Sequence, residues 1–310
     1  MEKQSLRVSV AFLIAALLLI GASKTAAQVK QTVGIKTLTL GVIYPSEPKS
    51  VAEHFRPLVQ YAARKLEPAG EIKSTVVVAP NTDRLIELLE RGQVDFYLES
   101  PFPTYLINRT GTGKLLLRRW KKGMSEYRSV ILTNKASRNT RLEDLRNKMI
   151  AFEDPGSTSG YFLPKLLLSQ KRFRVAEKPD LSAKVSGGEI GYIFAGSEKN
   201  VVKLMFEEKV AAGAISNDDH AALDEASKAR LSILAESSSV PRHLVSVRGN
   251  LPEAVIKRLG EILLTMDRDD EGRTVLRQTD ETTKFDTLPG GEEAFRRKLN
   301  ELYRLRAEKK

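Results

Sequence analysis

The stretch Ile150-Ala-Phe-Glu-Asp-Pro-Gly-Ser-Thr-Ser-Gly-Tyr-Phe-Leu-Pro164 reads as a buried strand, a tight hydroxyl-rich turn and the start of a helix. That order builds a seat for an anion. The first amides of a helix have no intrahelical acceptor and point at whatever lies before them, and the helix dipole makes the spot mildly positive. Ser157, Thr158 and Ser159 add hydroxyl donors without adding charge, and the amides of Gly160 and Tyr161 follow them. Such groups suit a small oxyanion such as a phosphonate or phosphate, each hydrogen bond to a charged group being worth about 1.5 to 3 kcal/mol net. The competing reading is an ordinary Ser/Thr N-cap.

Other chemistries find less support. Gly156-Ser-Thr-Ser-Gly160 nearly spells a hydrolase nucleophile elbow, but Thr158 stands where the serine belongs, and His220 and His243 have no supporting motif and read as surface or cap residues. With no cysteine and with His54, His220 and His243 scattered, the chain has no zinc-type spacing, so no metal or cofactor is expected. Thr112-Gly-Lys114 ends like a phosphate loop yet lacks the first glycine at the required distance. Tyr97, Trp120 and Tyr192 sit in strand-like runs and read as core.

The elements that must position the seat alternate between strand and helix. Residues 38–43 form a β-rich run ending at Tyr44-Pro45. Ser50 and Glu53 read as a capping box for a helix that buries Phe55, Leu58, Val59, Ala62 and Leu66. Strand 75–79 follows, then a helix capped by Asn81 and stopped at Gly92, then strand 94–98 ending in Glu99-Ser100-Pro101, where another helix starts. The pattern continues through strands at 115–120, 129–133, 191–195 and 211–215, a helix at 198–208, and a helix opened by Pro252. An α/β fold with a largely parallel core is the consistent outcome, and in such sheets ligands sit beyond the carboxyl ends of the strands. Those ends carry Tyr44, Glu99, Ser100, the seat, Ser197, Glu198, Asn217 and Asp218.

Lys3 and Arg7, an apolar run of roughly 13 residues, and small residues up to Ala27 form a secretory leader (1–27), the run being short of the about 20 that a membrane span needs. An uncleaved anchor is the alternative. Without cysteine there is no lipoprotein thiol and no disulfide, so a soluble protein of the bacterial periplasm is expected. About 280 residues remain, enough for two lobes with real cores. The net charge of +11 is spread among 39 acidic residues and reads as solvated surface that steers anions, with no nucleic-acid partner. Two extended segments, Ser129 to Ser137 and Ser237 to Pro241, read as crossings between lobes. They divide the chain into lobe 1 (33–134 plus 240–310) and lobe 2 (135–239), with a hinge-closing cleft between.

Phe55-Arg-Pro-Leu58, Leu88-Leu-Glu-Arg-Gly-Gln-Val-Asp95, Tyr127-Arg-Ser-Val130, Leu142-Glu-Asp-Leu-Arg-Asn-Lys148 and above all Asp154-Pro-Gly-Ser-Thr-Ser-Gly-Tyr161 resemble the phosphate/phosphite/phosphonate-binding proteins of ABC importers. These are a branch of the two-lobed type 2 periplasmic solute-binding proteins. The resemblance implies lobes that are each a mixed sheet flanked by helices, a binding protein and not an enzyme, and a membrane permease as partner. It makes Ser157, Thr158 and Ser159 the oxyanion ligands, faced by Tyr44 and Ser100 from the other lobe. Where relatives often carry Gly-Ser-His, this chain has Gly196-Ser197-Glu198, and Glu99 stands at a strand end that is often uncharged. A carboxylate close to a dianion costs about 1 to 4 kcal/mol. Glu99, Glu198 and Asp218 therefore either point away or receive the cationic end of a zwitterion such as an aminophosphonate. A sensor of the same fold coupled to a receptor kinase, and a binder of another small anion such as a sulfonate, are the alternatives.

Overall fold

The computed structural model describes residues 34–44, 48–67 and 72–304; residues 1–27, read above as a secretory leader, and Pro45 and Pro68 lie outside them. The first half runs β1 (Thr37–Ile43), α1 (Pro48–Leu66), β2 (Lys73–Ala79), α2 (Thr82–Glu90), β3 (Phe96–Glu99), α3 (Pro101–Asn108), β4 (Gly113–Lys121), β5 (Glu126–Tyr127), β6 (Ser129–Asn134) and β7 (Met149–Phe152). A wide, π-type helical turn at Thr158–Phe162 then passes straight into α4 (Leu163–Gln170). The second half holds β8 (Val175–Glu177), β9 (Ile190–Phe194), α5 (Glu198–Phe206), β10 (Ala212–Ser216), α6 (Asn217–Ala222), α7 (Glu225–Arg230) and β11 (Leu231–Glu236). It ends with β12 (Val240–Pro241), β13 (His243–Arg248), α8 (Glu253–Thr265), α9 (Asp270–Gln278), β14 (Thr282–Asp286) and α10 (Gly291–Arg304).

Local rules account for most helix ends. Asn81 caps α2 by accepting the Arg84 amide, and Gly92 follows that helix at φ 65°, where a side chain would be strained. The Ser50-Glu53 capping box does not form, because α1 starts earlier, at Pro48, leaving Ser50 inside the helix. A proline suits a first helical position, where its missing N–H has no intrahelical use. Helix α1 buries Phe55, Leu58, Val59, Ala62 and Leu66 along one face, as its spacing requires.

The strands assort into two six-stranded sheets. The first has the order β14-β4-β13-β3-β1-β2 and the second β11-β6-β10-β7-β9-β8. Both are mixed and not largely parallel. β2-β1-β3 and β10-β7-β9-β8 run parallel, while β3-β13-β4-β14 and β11-β6-β10 are antiparallel. Asp95 ties the first sheet together: it accepts the Thr39 amide at 2.8 Å and pairs with Arg248 Nε at 3.0 Å.

The chain passes between the sheets twice, and the two passages pair with each other. β5 and β12 form an antiparallel ribbon of their own, Tyr127 opposite Val240 and Glu126 opposite Pro241. The segment Ser129–Asn134, placed with lobe 1 by the sequence, is β6 of the second sheet, so the first passage lies upstream of the one expected. Every residue of β6 is buried, and a strand buried on both faces shows no alternation that marks the sheet it joins.

Apolar packing also joins the lobes. Phe162 of the hydroxyl-turn helix stacks on Phe102 of α3 with ring centroids 4.5 Å apart and meets Tyr303 of α10 at 4.4 Å. Phe162→Ala is expected to cost about 3 to 5 kcal/mol by emptying this stack. A urea titration reads the loss as a lower midpoint; an unchanged midpoint would mean the stack contributes nothing to holding the chain folded.

Candidate functional site

Thr158, at the centre of the hydroxyl turn, faces the other lobe. Its Oγ1 accepts the Phe102 amide and donates to Ser100 Oγ, both at 2.9 Å. Ser100 is the N-cap of α3 and makes no capping bond of its own, and Pro101 and Pro103 carry no amide hydrogen. The start of α3 therefore directs the Phe102 N–H and one serine hydroxyl at the turn, head to head with a second helix start. Both ends present positive dipole charge toward the same place.

The other seat residues divide. Ser157 is the cap of its turn: its Oγ accepts the Gly160 amide at 2.9 Å and donates to Glu153 Oε2 at 2.7 Å. The bland reading thus describes Ser157, while Thr158 bridges lobes. Ser159 is buried beside the Tyr127 hydroxyl. Gly160 is required by close approach, since a Cβ there would lie 2.5 Å from that of Glu153. Tyr161 turns its ring into the second lobe against Phe152, Tyr192 and Phe194, its hydroxyl accepting from Lys165.

Around the turn stand charges of both signs. Tyr44, directly after β1, is 39% exposed as a whole residue. Lost solvation and the charges of Asp280 and Glu99 hold its proton tighter than usual, against Arg119 and Arg242. Glu99 bends back to accept the Ile43 amide at 2.6 Å. Burial pushes its pKa up to about 8 against the Ile43 and Ser100 amides, with Asp154 adding to the rise. Glu153 is likewise pushed up to about 7, by burial and by Asp154, Asp219 and Glu198, against its bond from Ser157. Glu198, at the first turn of α5, thus belongs to an acidic group around Glu153. Asp218, at the start of α6, is paired at 2.7 Å with Arg242.

The sequence reading missed the cations. Arg119 is 1% exposed and donates to Thr282 Oγ1 and to Asp280, which Lys121 also contacts at 2.8 Å. Its signal was its place on the same face of β4 as the buried Leu115 and Leu117, where alternation puts core side chains. Arg242 lies where the chain crosses between lobes and had no local signal, whereas Tyr127, also on the crossing, opens one of the motifs of the resemblance. His243, read as a surface or cap residue, has a buried Nδ1, and burial with the nearby Arg119 and Arg242 holds its pKa well below the usual histidine value. A separate groove of 820 Å³ along α5 is lined by Leu181, Phe194 and Lys203 among others and includes none of the seat residues.

This architecture is that of a two-lobed type 2 periplasmic binding protein. The family model described as "ABC transporter, phosphonate, periplasmic substrate-binding protein" matches residues 40–288, and the chain belongs to that family. The family consists of transporter binding proteins and is not an enzyme class; membership implies a small-ligand cargo and a membrane permease. The chain is similar to XAC2383 from Xanthomonas citri, whose structures hold chloride ion or ATP. It is 27% identical with a TM-score of 0.80, and the chloride-bound match covers 86% of this chain and 96% of that one. PhnD1 from Prochlorococcus marinus, in complex with methylphosphonate, is 17% identical at a TM-score of 0.66, over 88% of this chain and 99% of that one. A binding protein component of an ABC phosphonate transporter from Pseudomonas aeruginosa is 16% identical at 0.62, over 88% and 98%. The last two likenesses speak to the fold alone.

The raised carboxyls give stability a pH dependence. Each holds its proton more tightly folded than unfolded, where the ordinary value is 4.5. Their contribution is therefore complete below about pH 4.5 and is lost as pH rises through about 7 to 8. Urea midpoints measured from about pH 5 to 9 should fall less steeply in the Glu99→Gln, Glu153→Gln double variant than in the parent. Parallel curves would show that neither carboxyl is shifted.

Proposed function

We propose that the protein captures a small phosphorus oxyanion, such as a phosphonate, phosphite or phosphate, between its lobes in the periplasm and presents it to an ABC permease. The observation that carries this reading is the head-to-head meeting of two helix starts through Thr158, Ser100 and the Phe102 amide. Tetrahedral oxyanions are held by such uncharged donors at positive helix ends. Tyr44, Ser100 and Glu99 serve from the first lobe. Thr158, Ser159 and the opening amides of their turn serve from the second, with Ser157 and Gly160 shaping the turn through their mutual bond. Burial raises the Glu99 pKa to about 8, which disfavours its charged form and lessens its repulsion of an anion. Chloride and ATP, the ligands in the structures of the 27% identical XAC2383, share negative charge.

Isothermal titration against phosphate, phosphite, methylphosphonate, ATP and taurine tests the class. Heat with a phosphorus oxyanion and little with taurine is expected; a clear preference for the sulfonate overturns it. Thr158→Val, which keeps shape and deletes the hydroxyl, should weaken binding of the preferred oxyanion about tenfold or more. Unaltered affinity would take Thr158 out of the site.

A further inference from the structure

The crossing ribbon delivers an arginine beside the hydroxyl turn. Arg242 directly follows β12, and its amide donates to Ser125 O at 2.8 Å, fixing its backbone on the ribbon. Its guanidinium lies 4.4 Å from the centre of the Tyr127 ring, and the Tyr127 hydroxyl neighbours Thr158 and Ser159. The side chain is only 7% exposed, and its Nη2 donates to Asp218 Oδ2 at 2.7 Å. Asp218 is 4% exposed.

This pair is incompletely satisfied. Arg242 Nε and Asp218 Oδ1 are buried without a hydrogen-bond partner among the described residues, and so is Ser129 Oγ. Ser129 pairs with Ser216, two residues before Asp218, so these atoms cluster where the ribbon meets the second sheet. Buried polar groups are normally partnered; Arg242 Nε and Ser129 Oγ are donors that a ligand or its water would satisfy, while Asp218 Oδ1 is an acceptor that a water would satisfy. An arginine also suits this place because its planar fork can hold a carboxylate and an oxyanion at once.

We propose that Arg242 is a ligand-binding, specificity-determining residue: it supplies a fixed positive charge to the oxyanion, and Asp218 is its counter-ion and does not receive a ligand's ammonium group. The inference rests on the proposed capture of phosphorus oxyanions and narrows the ligand to those without a cationic group. An ammonium brought to Asp218 would arrive beside the guanidinium already bonded to it, like charge against like. Alkylphosphonates, phosphite and phosphate meet no such conflict.

Titration calorimetry of the whole chain with methylphosphonate and 2-aminoethylphosphonate tests this, with unfolding midpoints confirming that each variant is folded. The parent should bind methylphosphonate about tenfold or more tightly than 2-aminoethylphosphonate. Arg242→Gln should weaken methylphosphonate about tenfold or more, with Arg242→Lys recovering part of the loss. Asp218→Asn keeps an acceptor for Arg242 while removing the negative charge, and should bind methylphosphonate at least as well as the parent. If Arg242→Gln fails to fold, the parent's ligand ranking and Asp218→Asn decide the matter. A parent that prefers 2-aminoethylphosphonate and loses that preference in Asp218→Asn overturns the inference while leaving oxyanion capture standing. So does a folded Arg242→Gln with parental affinity for methylphosphonate. A parent that binds no phosphorus oxyanion overturns both.

Discussion

One hydroxyl, on Thr158, joins the start of a helix in the second lobe to the start of α3 in the first, taking the Phe102 amide and giving its proton to Ser100. Much of the surrounding architecture follows from that contact. Two helix starts meet end to end more readily where the first turn carries small side chains or few competing donors. The Ser-Thr-Ser-Gly run on one side and Ser-Pro-Phe-Pro on the other fit that description. The Phe102–Phe162–Tyr303 stack then shields the junction from water, which strengthens each hydrogen bond inside it. Gly160 lets Glu153 pass close behind the turn, and Ser157 locks that approach by bonding both.

Charge is distributed around this contact according to how deeply each group is buried. Glu99 and Glu153 have little solvent and weak pairing, so they keep their protons to about 8 and 7. Asp280 has little solvent but two cations, Arg119 and Lys121, and stays ionised with its pKa below the usual range. Two acids from the same chain thus differ in charge preference, because Asp280 met two cations while burial acts on Glu99 more strongly than the peptide amides that oppose it. The surroundings of the turn are for that reason less acidic at neutral pH than the count of carboxyl groups implies.

The strand, turn and helix of residues 150–164 were readable because each signal is local: an apolar run, hydroxyls, a glycine and a helix start within one stretch. The Asn81 cap was readable for the same reason. The Ser50-Glu53 box misled because the helix begins at Pro48, before the position that Ser50 would cap. What the sequence could not supply was long-range partnership. Asp218 looked available to a ligand until Arg242, far along the chain, closed on it. The antiparallel strands β13 and β14 escaped a reading based on alternating strand and helix, since their neighbours in the sheets come from distant segments. Arg119 could have been suspected from its side of β4, but Thr282 and Asp280, which make its burial tolerable, lie some 160 residues on.

The ribbon of β5 and β12 constrains how such a molecule could flex. Its strands are only two residues each, Glu126–Tyr127 and Val240–Pro241, and they are bonded to each other across the passage. A ladder of that kind bends and twists cheaply, whereas sliding one strand along the other breaks it. A rotation about this ribbon keeps Tyr127 opposite Val240 and Glu126 opposite Pro241, whereas a sideways shift of one lobe breaks that pairing.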